Sequence, residues 1–363
     1  MIYKTYGNTG KRISVLAAGG MRHAVPEDTE RSAETLLRAY QAGVNYFDTA
    51  PGYCEDRSET ITGRALRQMK PGTYHVATKS MKSDGSELRE QLERSLERLG
   101  VDRIDFFHIW CLLDREKWIE RKRGRAVDAA LRAREEGLIE HLCFSTHMGH
   151  HEADEVIEEG IFDGVLLGYN ALNFPLREAT VRKAQERGMG VMAMNPLAGG
   201  LIPEHPESFD FLRDGADPDV VTAALRFVCS APGITGALVG FRGADDVDTA
   251  AAALEDFRPY SQEHMDRLKE RIRDRFEGFC TGCGYCLPCP SGVPIPKLMD
   301  AANVLQLENR PGKVVQRLRM HWGLSPEEAG KCTQCGQCEQ ACTQHLPIIE
   351  RLNEVADLSE STE

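Results

Sequence analysis

No stretch of the chain offers the roughly 18 to 20 consecutive apolar residues that a membrane span needs. The opening MIYKTYGNTGKRISVLAAGG also lacks the continuous apolar segment of an export signal. A cytoplasmic protein without a membrane partner is therefore expected. Positive charge is scarce: 44 Lys and Arg stand against 56 Asp and Glu, a formal net charge of -12. Phosphate backbones are held through clustered Lys and Arg, so nucleic acid is excluded as a partner. No low-complexity segment breaks the chain, no internal repeat is shorter than a βα unit, and no flavin motif is evident. AAGGMRH only loosely approaches the Gly-rich first turn of a dinucleotide-binding open sheet.

What is present is enough apolar residue, 41% of 363, for one large domain and a small second one. From about Ile13 to Leu254, short β-branched or aromatic runs alternate with longer amphipathic stretches. The runs are ISVLAAG, VNYFDT, TYHVATK, RIDFFHIW, IEHLCFS, FDGVLLGY, GVMAMN and ITGALVG, and stretches such as SELREQLERSLERLG follow them. Eight such units predict an α/β fold, a closed (β/α)8 TIM barrel rather than a doubly wound open sheet. IYKTYGNTGKRIS before the first unit reads as a hairpin capping the bottom of the barrel. RPYSQEHMDRLKERIRDRFEG after the last reads as a charged amphipathic helix. The predicted domains are 1–277 and 278–363.

Eight of the twelve cysteines crowd into two C-terminal runs. CTGCGYCLPCP sets Cys280, Cys283, Cys286 and Cys289 at three-residue steps, and CTQCGQCEQAC contains Cys332, Cys335, Cys338 and Cys342. In a large chain without an export signal, metal ligation outweighs disulfides. Three cysteines at this spacing let one loop wrap an iron–sulfur cubane, with Gly282, Gly284 and Gly336 permitting close backbone approach. Structural zinc also takes four thiolates, but it pairs two CxxC halves and rarely stacks CxxCxxC. Two 4Fe–4S clusters are expected. In two-cluster ferredoxins the fourth cysteine of each run serves the other cluster, which gives one set of Cys280, Cys283, Cys286 and Cys342 and another of Cys332, Cys335, Cys338 and Cys289. The first run departs from that pattern in having two residues before Cys289, and Thr343 stands where proline is expected. The helical segment between the runs resembles the α-helical ferredoxin type. Cys54, Cys111, Cys143 and Cys229 are scattered singly and read as small buried apolar residues.

AGVNYFDTAPGYCEDRSETITGRAL resembles the signature of the aldo/keto reductases, with Asp48 ending the second strand and Tyr53 five residues on. TYHVATK supplies the matching Lys79. With the cysteine runs, the chain is similar to the iron–sulfur branch of that family. The resemblance implies a reductase or dehydrogenase exchanging hydride between NADP(H) or NAD(H) and a small-molecule carbonyl or alcohol. NADP(H) is the expected cofactor, and a redox partner protein is one route for the cluster electrons. In this reading Tyr53 is the acid, Lys79 favours its phenolate, and Asp48 orients Lys79. Each also has a plainer reading: a helix-capping Asp, a packing Tyr and a rim Lys.

The resemblance weakens at several positions. Trp110 stands where the family places its catalytic histidine, and His108, two residues earlier, lies about 6.6 Å deeper on the same strand face. The implied nicotinamide contacts fall on Ser145, Thr146, Leu166, Met194, Asn195 and Leu197, and the phosphate contacts on Gly240 and Arg242. His147 stands at the active face, with His150 and His151 read as surface residues. Two other readings stay open: an iron–sulfur electron-transfer subunit whose barrel does no hydride chemistry, and a barrel isomerase or lyase using Tyr53 and Lys79 as an acid–base pair. A nicotinamide carries two electrons and each cluster one, so coupling them requires an intermediary.

Overall fold

The computed structural model describes the chain apart from residues 216, 276–277, 281–283, 343–344 and 359–363. It divides into two compact units, Met1–Ile272 and Arg273–Glu363. In the first, β1 (Tyr3–Thr5) and β2 (Arg12–Ser14) form an antiparallel hairpin. Eight strands then close a parallel barrel: β3 (Leu16–Gly19), β4 (Tyr46–Asp48), β5 (His75–Ser80), β6 (Ile104–Leu112), β7 (Ile139–Thr146), β8 (Gly164–Gly168), β9 (Gly190–Met194) and β10 (Gly236–Gly240). β10 pairs with both β9 and β3 to close the ring. The fold is the (β/α)8 barrel.

The barrel is filled rather than hollow. Ala17, Tyr46, Ala77, Phe106, Cys143, Leu166 and Met192 pack inside it, joined by Tyr6 from the hairpin. Tyr6 is fully buried, with its hydroxyl 3.9 Å from Cys143 Sγ. The ring fits because Gly164 and Gly190 carry no side chain: a Cβ at either position would run into it. The hairpin thus plugs the barrel at the starts of β8 and β9.

Helices α1 (Thr29–Gln41), α2 (Ser58–Leu66) and α3 (Gly85–Leu99) cover the first barrel strands. In α3, Asp84 caps the amino end by accepting from the Ser86 and Glu87 N–H groups, and Gly100 ends the helix at φ 68. Leu88, Leu92, Ser95 and Leu99 form its buried stripe at the helical period. Among the described residues no helix is long and apolar enough to cross a membrane.

The second unit is helical. Ile295–Glu308 and Pro311–Arg317 are separate helices, because Asn309 takes a left-handed conformation at φ 48 and Pro311 begins the next segment. A π-turn at Leu318–Trp322 and the helix Ile348–Asp357 complete a core around Leu298, Met299, Leu318, Leu352 and Val355. Within it, Asp300 accepts from Trp322 Nε1 at 2.8 Å and from Arg317 at 2.8 and 3.1 Å, so its buried charge is paired.

Candidate active site and metal centre

The C-terminal ends of β4 and β5 bring together Asp48 and Lys79. Lys79 Nζ donates to both Asp48 oxygens at 2.6 and 2.7 Å, and the two side chains are 1% and 2% exposed. Burial raises the Asp48 carboxyl above its ordinary value, with Lys79 pulling the other way. Tyr53 is half-buried above them, its ring centroid 5.4 Å from Lys79 Nζ. The Tyr53 hydroxyl makes no hydrogen bond to a described residue. Burial pushes the Tyr53 phenol well above its usual value, and the Asp48 charge adds to that. This is opposite to the lowering expected from a neighbouring ammonium. The physical reason is that burial, first, and the Asp48 charge, second, outweigh the ammonium of Lys79. Tyr53 therefore holds its proton at neutral pH, as a proton donor must.

The loop that presents Tyr53 is strained and held. Cys54, Glu55 and Asp56 have φ of 52, 56 and 67. Side chains other than glycine visit this left-handed region at a cost of about 1 to 2 kcal/mol each. A clasp maintains it: Asp56 accepts from Gly52 N–H at 2.9 Å and from Arg98 of α3 at 2.8 and 2.7 Å. Arg98 also reaches Glu59 at 3.3 Å, and Glu59, fully buried, accepts from Thr78 Oγ1 at 2.7 Å. Asp56, Glu59 and Arg98 were not among the residues expected from sequence. Their signal was the acidic pair three apart after Tyr53, but the choice of Arg98 requires the packing of α2 on α3.

Trp110 and His108 occupy two levels of β6. The register with β7 shifts between Ile109 and Leu112, and Cys111 lies at φ 60, which is a bulge at the strand end. Trp110 meets Tyr53 edge to face, with centroids 5.3 Å apart at 89°. His108 pairs in register with Lys79, is fully buried, and places Nε2 3.4 Å from Tyr46 Oη. Burial, aided by Lys79, lowers its pKa to about 3, so the ring is neutral.

Of the residues expected to touch a nicotinamide, Ser145, Thr146 and Arg242 have side chains hydrogen-bonded within the chain. Ser145 Oγ accepts from Cys111 N–H at 2.9 Å. Thr146, buried, donates to Leu112 O and accepts from Met148 N–H, both at 2.9 Å. Leu166 packs in the barrel interior. Met194 and Leu197 are half-buried, and Asn195 is at φ 54 with its carbonyl bonded to Asn170 Nδ2 at 2.9 Å. Gly240 is exposed, and a Cβ there would meet Arg22 Cγ at 2.6 Å. Arg242 pairs with Asp246 through two contacts of 3.0 Å. The His147 carbonyl accepts from Arg177 at 3.3 Å, and the His150 and His151 rings lie 3.8 Å apart at the start of their helix.

In the second unit Cys283 lies outside the described residues. Among the described residues, the other seven cysteines of the two runs form no disulfide. A cavity of about 210 Å³ is lined by Cys289, Cys332, Cys335 and Cys338 together with Cys286 and Tyr285. The third and fourth cysteines of the first run thus stand with the first three of the second. Cys280, Cys286 and Cys342 pack beside the same helical core. This all-thiol donor set around a cavity fits an iron–sulfur cluster.

Comparison with known proteins agrees with the geometry. The aldo/keto reductase family profile matches residues 15–273, and a 4Fe–4S dicluster domain profile matches residues 279–346. The uncharacterized oxidoreductase YrpG of Bacillus subtilis is 26% identical over 70% of this chain and 91% of its own. The L-galactose dehydrogenase of Arabidopsis thaliana is 24% identical over 69% of this chain and 87% of its own. An aldo-keto reductase of Bacillus halodurans, solved in its holo form, superimposes with a TM-score of 0.65 at 20% identity, covering 75% of this chain and 96% of its own.

Proposed function

The chain belongs to the aldo/keto reductase family and ends in a 4Fe–4S domain, and from this we propose that its barrel reduces a carbonyl, or oxidises the corresponding alcohol, with a nicotinamide cofactor. The observation that carries the reading is the unbonded Tyr53 hydroxyl beside the buried Lys79–Asp48 pair at the mouth of the barrel. When bound, a nicotinamide supplies the two electrons as a hydride. Tyr53 donates the proton to the carbonyl oxygen as negative charge develops there. Lys79, fixed by Asp48, places an ammonium beneath the phenol and steadies the phenolate left after that transfer. Trp110 walls the pocket where the family places an imidazole. Ser145, Met194, Asn195, Leu197, Gly240 and Arg242 are the residues that would hold the cofactor, and Arg242 must leave Asp246 to meet a phosphate. Thr146, with donor and acceptor both engaged, contributes through packing.

Cys332, Cys335, Cys338 and Cys289 hold one 4Fe–4S cluster in this account, and Cys280, Cys283, Cys286 and Cys342 hold the other. The clusters relay single electrons or brace the second unit. The engagement of Thr146 and Arg242 within the chain favours a second reading, an electron-transfer subunit that binds no nicotinamide. Titrating the purified protein with NADPH and with NADH, while following nicotinamide fluorescence, separates the two. Saturable binding supports the reductase, and no binding of either supports the electron-transfer subunit.

A further inference from the structure

One stretch of the second unit reverses the charge of the chain. The protein carries a formal net charge of -12, yet from Asn309 to Pro326 no Asp or Glu occurs, while Arg310, Lys313, Arg317 and Arg319 do. The helix Pro311–Arg317 and the π-turn Leu318–Trp322 make up most of it. Val314, Leu318 and Trp322, spaced by four, are buried in the helical core. The opposite side carries Gln316, Arg319 and Met320, all exposed, and Arg310 is exposed where the helix starts. Met320 is 62% exposed. Arg317 is held by Asp300, but Arg310 and Arg319 enter no ion pair with a described residue.

One helix ties this basic face to a cluster cysteine. On Ile295–Glu308, Asp300 accepts from Arg317 and from Trp322 Nε1. Asn303, three residues on and so on the same face, accepts from Cys280 N–H and donates to Cys280 O, both at 2.9 Å. Successive turns of a helix lie about 5.4 Å apart, so the basic stretch and the first cysteine of the first run are held on adjacent turns of one element. The π-turn that presents Arg319 and Met320 is itself an uncommon form, found most often at functional sites.

Unpaired cations around an exposed thioether have the character of a transient protein contact, in which charge steers the encounter and an adaptable apolar group seats it. Resting on the cluster account above, we propose that the face of Arg310, Gln316, Arg319 and Met320 docks an acidic protein that carries single electrons, of the plant-type 2Fe–2S ferredoxin class. A nicotinamide exchanges electrons in pairs and the clusters take them singly, so the second unit needs a one-electron source or sink of its own. In the exchange the reduced carrier loses one electron, the chain gains one, and no bond or proton moves.

The test uses the full chain purified without oxygen and two carriers, an acidic plant-type ferredoxin and the basic cytochrome c. Calorimetric titration with oxidised ferredoxin should show saturable binding that weakens at least about tenfold between low salt and about 0.3 M salt. Arg310→Glu with Arg319→Glu should weaken the low-salt binding at least about tenfold, and Met320→Ser should weaken it at both salt levels. Arg182→Glu with Arg187→Glu changes the net charge equally on the barrel unit and should leave binding within about twofold. Arg310 and Arg319 are exposed, so their replacement does not depend on the core repacking, and unchanged cluster paramagnetic signals check this. Reduced ferredoxin should reduce the unaltered chain at least about tenfold faster than the Arg310 and Arg319 variant.

Equal affinity for the two carriers, or ferredoxin binding that the Arg310 and Arg319 reversals leave unchanged, overturns the docking face. Retention on phosphatidylglycerol vesicles in place of ferredoxin binding also overturns it. Ferredoxin binding that the reversals abolish, in a chain that holds no iron, supports the face and overturns the clusters. A chain with both clusters that binds no ferredoxin overturns the face and leaves the clusters and the reductase standing.

Discussion

Replacing Lys79 by Met tests how the site is held together. Lys79 and Asp48 are 1% and 2% exposed and joined by two short bonds, so removing the cation strands a carboxylate inside the barrel. Breaking one side of a buried pair costs about 3 to 5 kcal/mol. The pH dependence has a definite sign. Asp48 already has a carboxyl raised above its ordinary value by burial, so protonation favours the folded state. Its contribution is full below the unfolded carboxylate range and is lost as pH rises through the raised value. Without Lys79 the only force lowering that value is gone, and the raised range extends further up. The destabilisation of Lys79→Met should therefore be largest at about pH 8 and shrink toward about pH 5, as Asp48 takes up its proton. Adding Asp48→Asn should recover most of the loss at high pH. Urea unfolding of the whole chain, read by hydrogen exchange in peptides covering 46–48 and 75–80, reports the barrel separately from the second unit. A loss below about 1 kcal/mol, or one that does not change with pH, would refute the claim that this is a sealed ion pair dominated by burial.

Arg98→Ala opens the clasp on Asp56 and should lower kcat by about 10- to 100-fold with little change in KM, because the acid is misplaced rather than removed; Arg98→Lys, lacking the two-pronged grip, should restore only part. Steady-state kinetics with a reduced carbonyl decides this, and an equal rise in KM would speak against it. Gly164→Ala pushes a methyl into the Tyr6 ring and should destabilise the barrel by about 1 to 3 kcal/mol, measured by urea unfolding. Protein purified without oxygen should contain about eight iron and eight sulfide per chain. Cys289→Ser and Cys335→Ser should each remove the same paramagnetic signal after reduction, and Cys280→Ser the other; loss of different signals in the first two variants would break the crossed arrangement.

The eight-unit alternation was legible because each strand is a short apolar run and each helix shows a stripe such as Leu88, Leu92 and Leu99. Asp48, Tyr53 and Lys79 were legible because the motif fixes their spacing from strand ends, and strand ends meet at one face in a closed barrel. The deeper position of His108 also followed, since two residues along a strand keep the face and change the level. The electrostatics did not follow. Whether the Tyr53 pKa falls or rises depends on how deeply the phenol is buried and on the charge of Asp48 beside it, and the motif states neither. The bulge at Trp110 and Cys111 was equally hidden, since no glycine or proline marks it and Cys111 adopts its left-handed φ under tertiary constraint. Thr146 read as a cofactor contact because it falls where the family resemblance puts one. The structure shows both of its hydrogen-bonding functions turned to Leu112 and Met148. The break at Asn309 was signalled by the following Arg-Pro, yet the surrounding apolar period suggested continuous helix.

The central claim is that the Tyr53 hydroxyl delivers the proton in a nicotinamide-dependent carbonyl reduction. It is tested most directly by comparing Tyr53→Phe with the unaltered full chain, using an aldehyde and whichever nicotinamide binds, and following nicotinamide oxidation alongside a separate titration of nicotinamide affinity. The substitution removes one oxygen and keeps the ring that Trp110 packs against. The account predicts that reduction is abolished while nicotinamide affinity is nearly unchanged. Full activity in Tyr53→Phe would contradict it and remove Tyr53 as the acid.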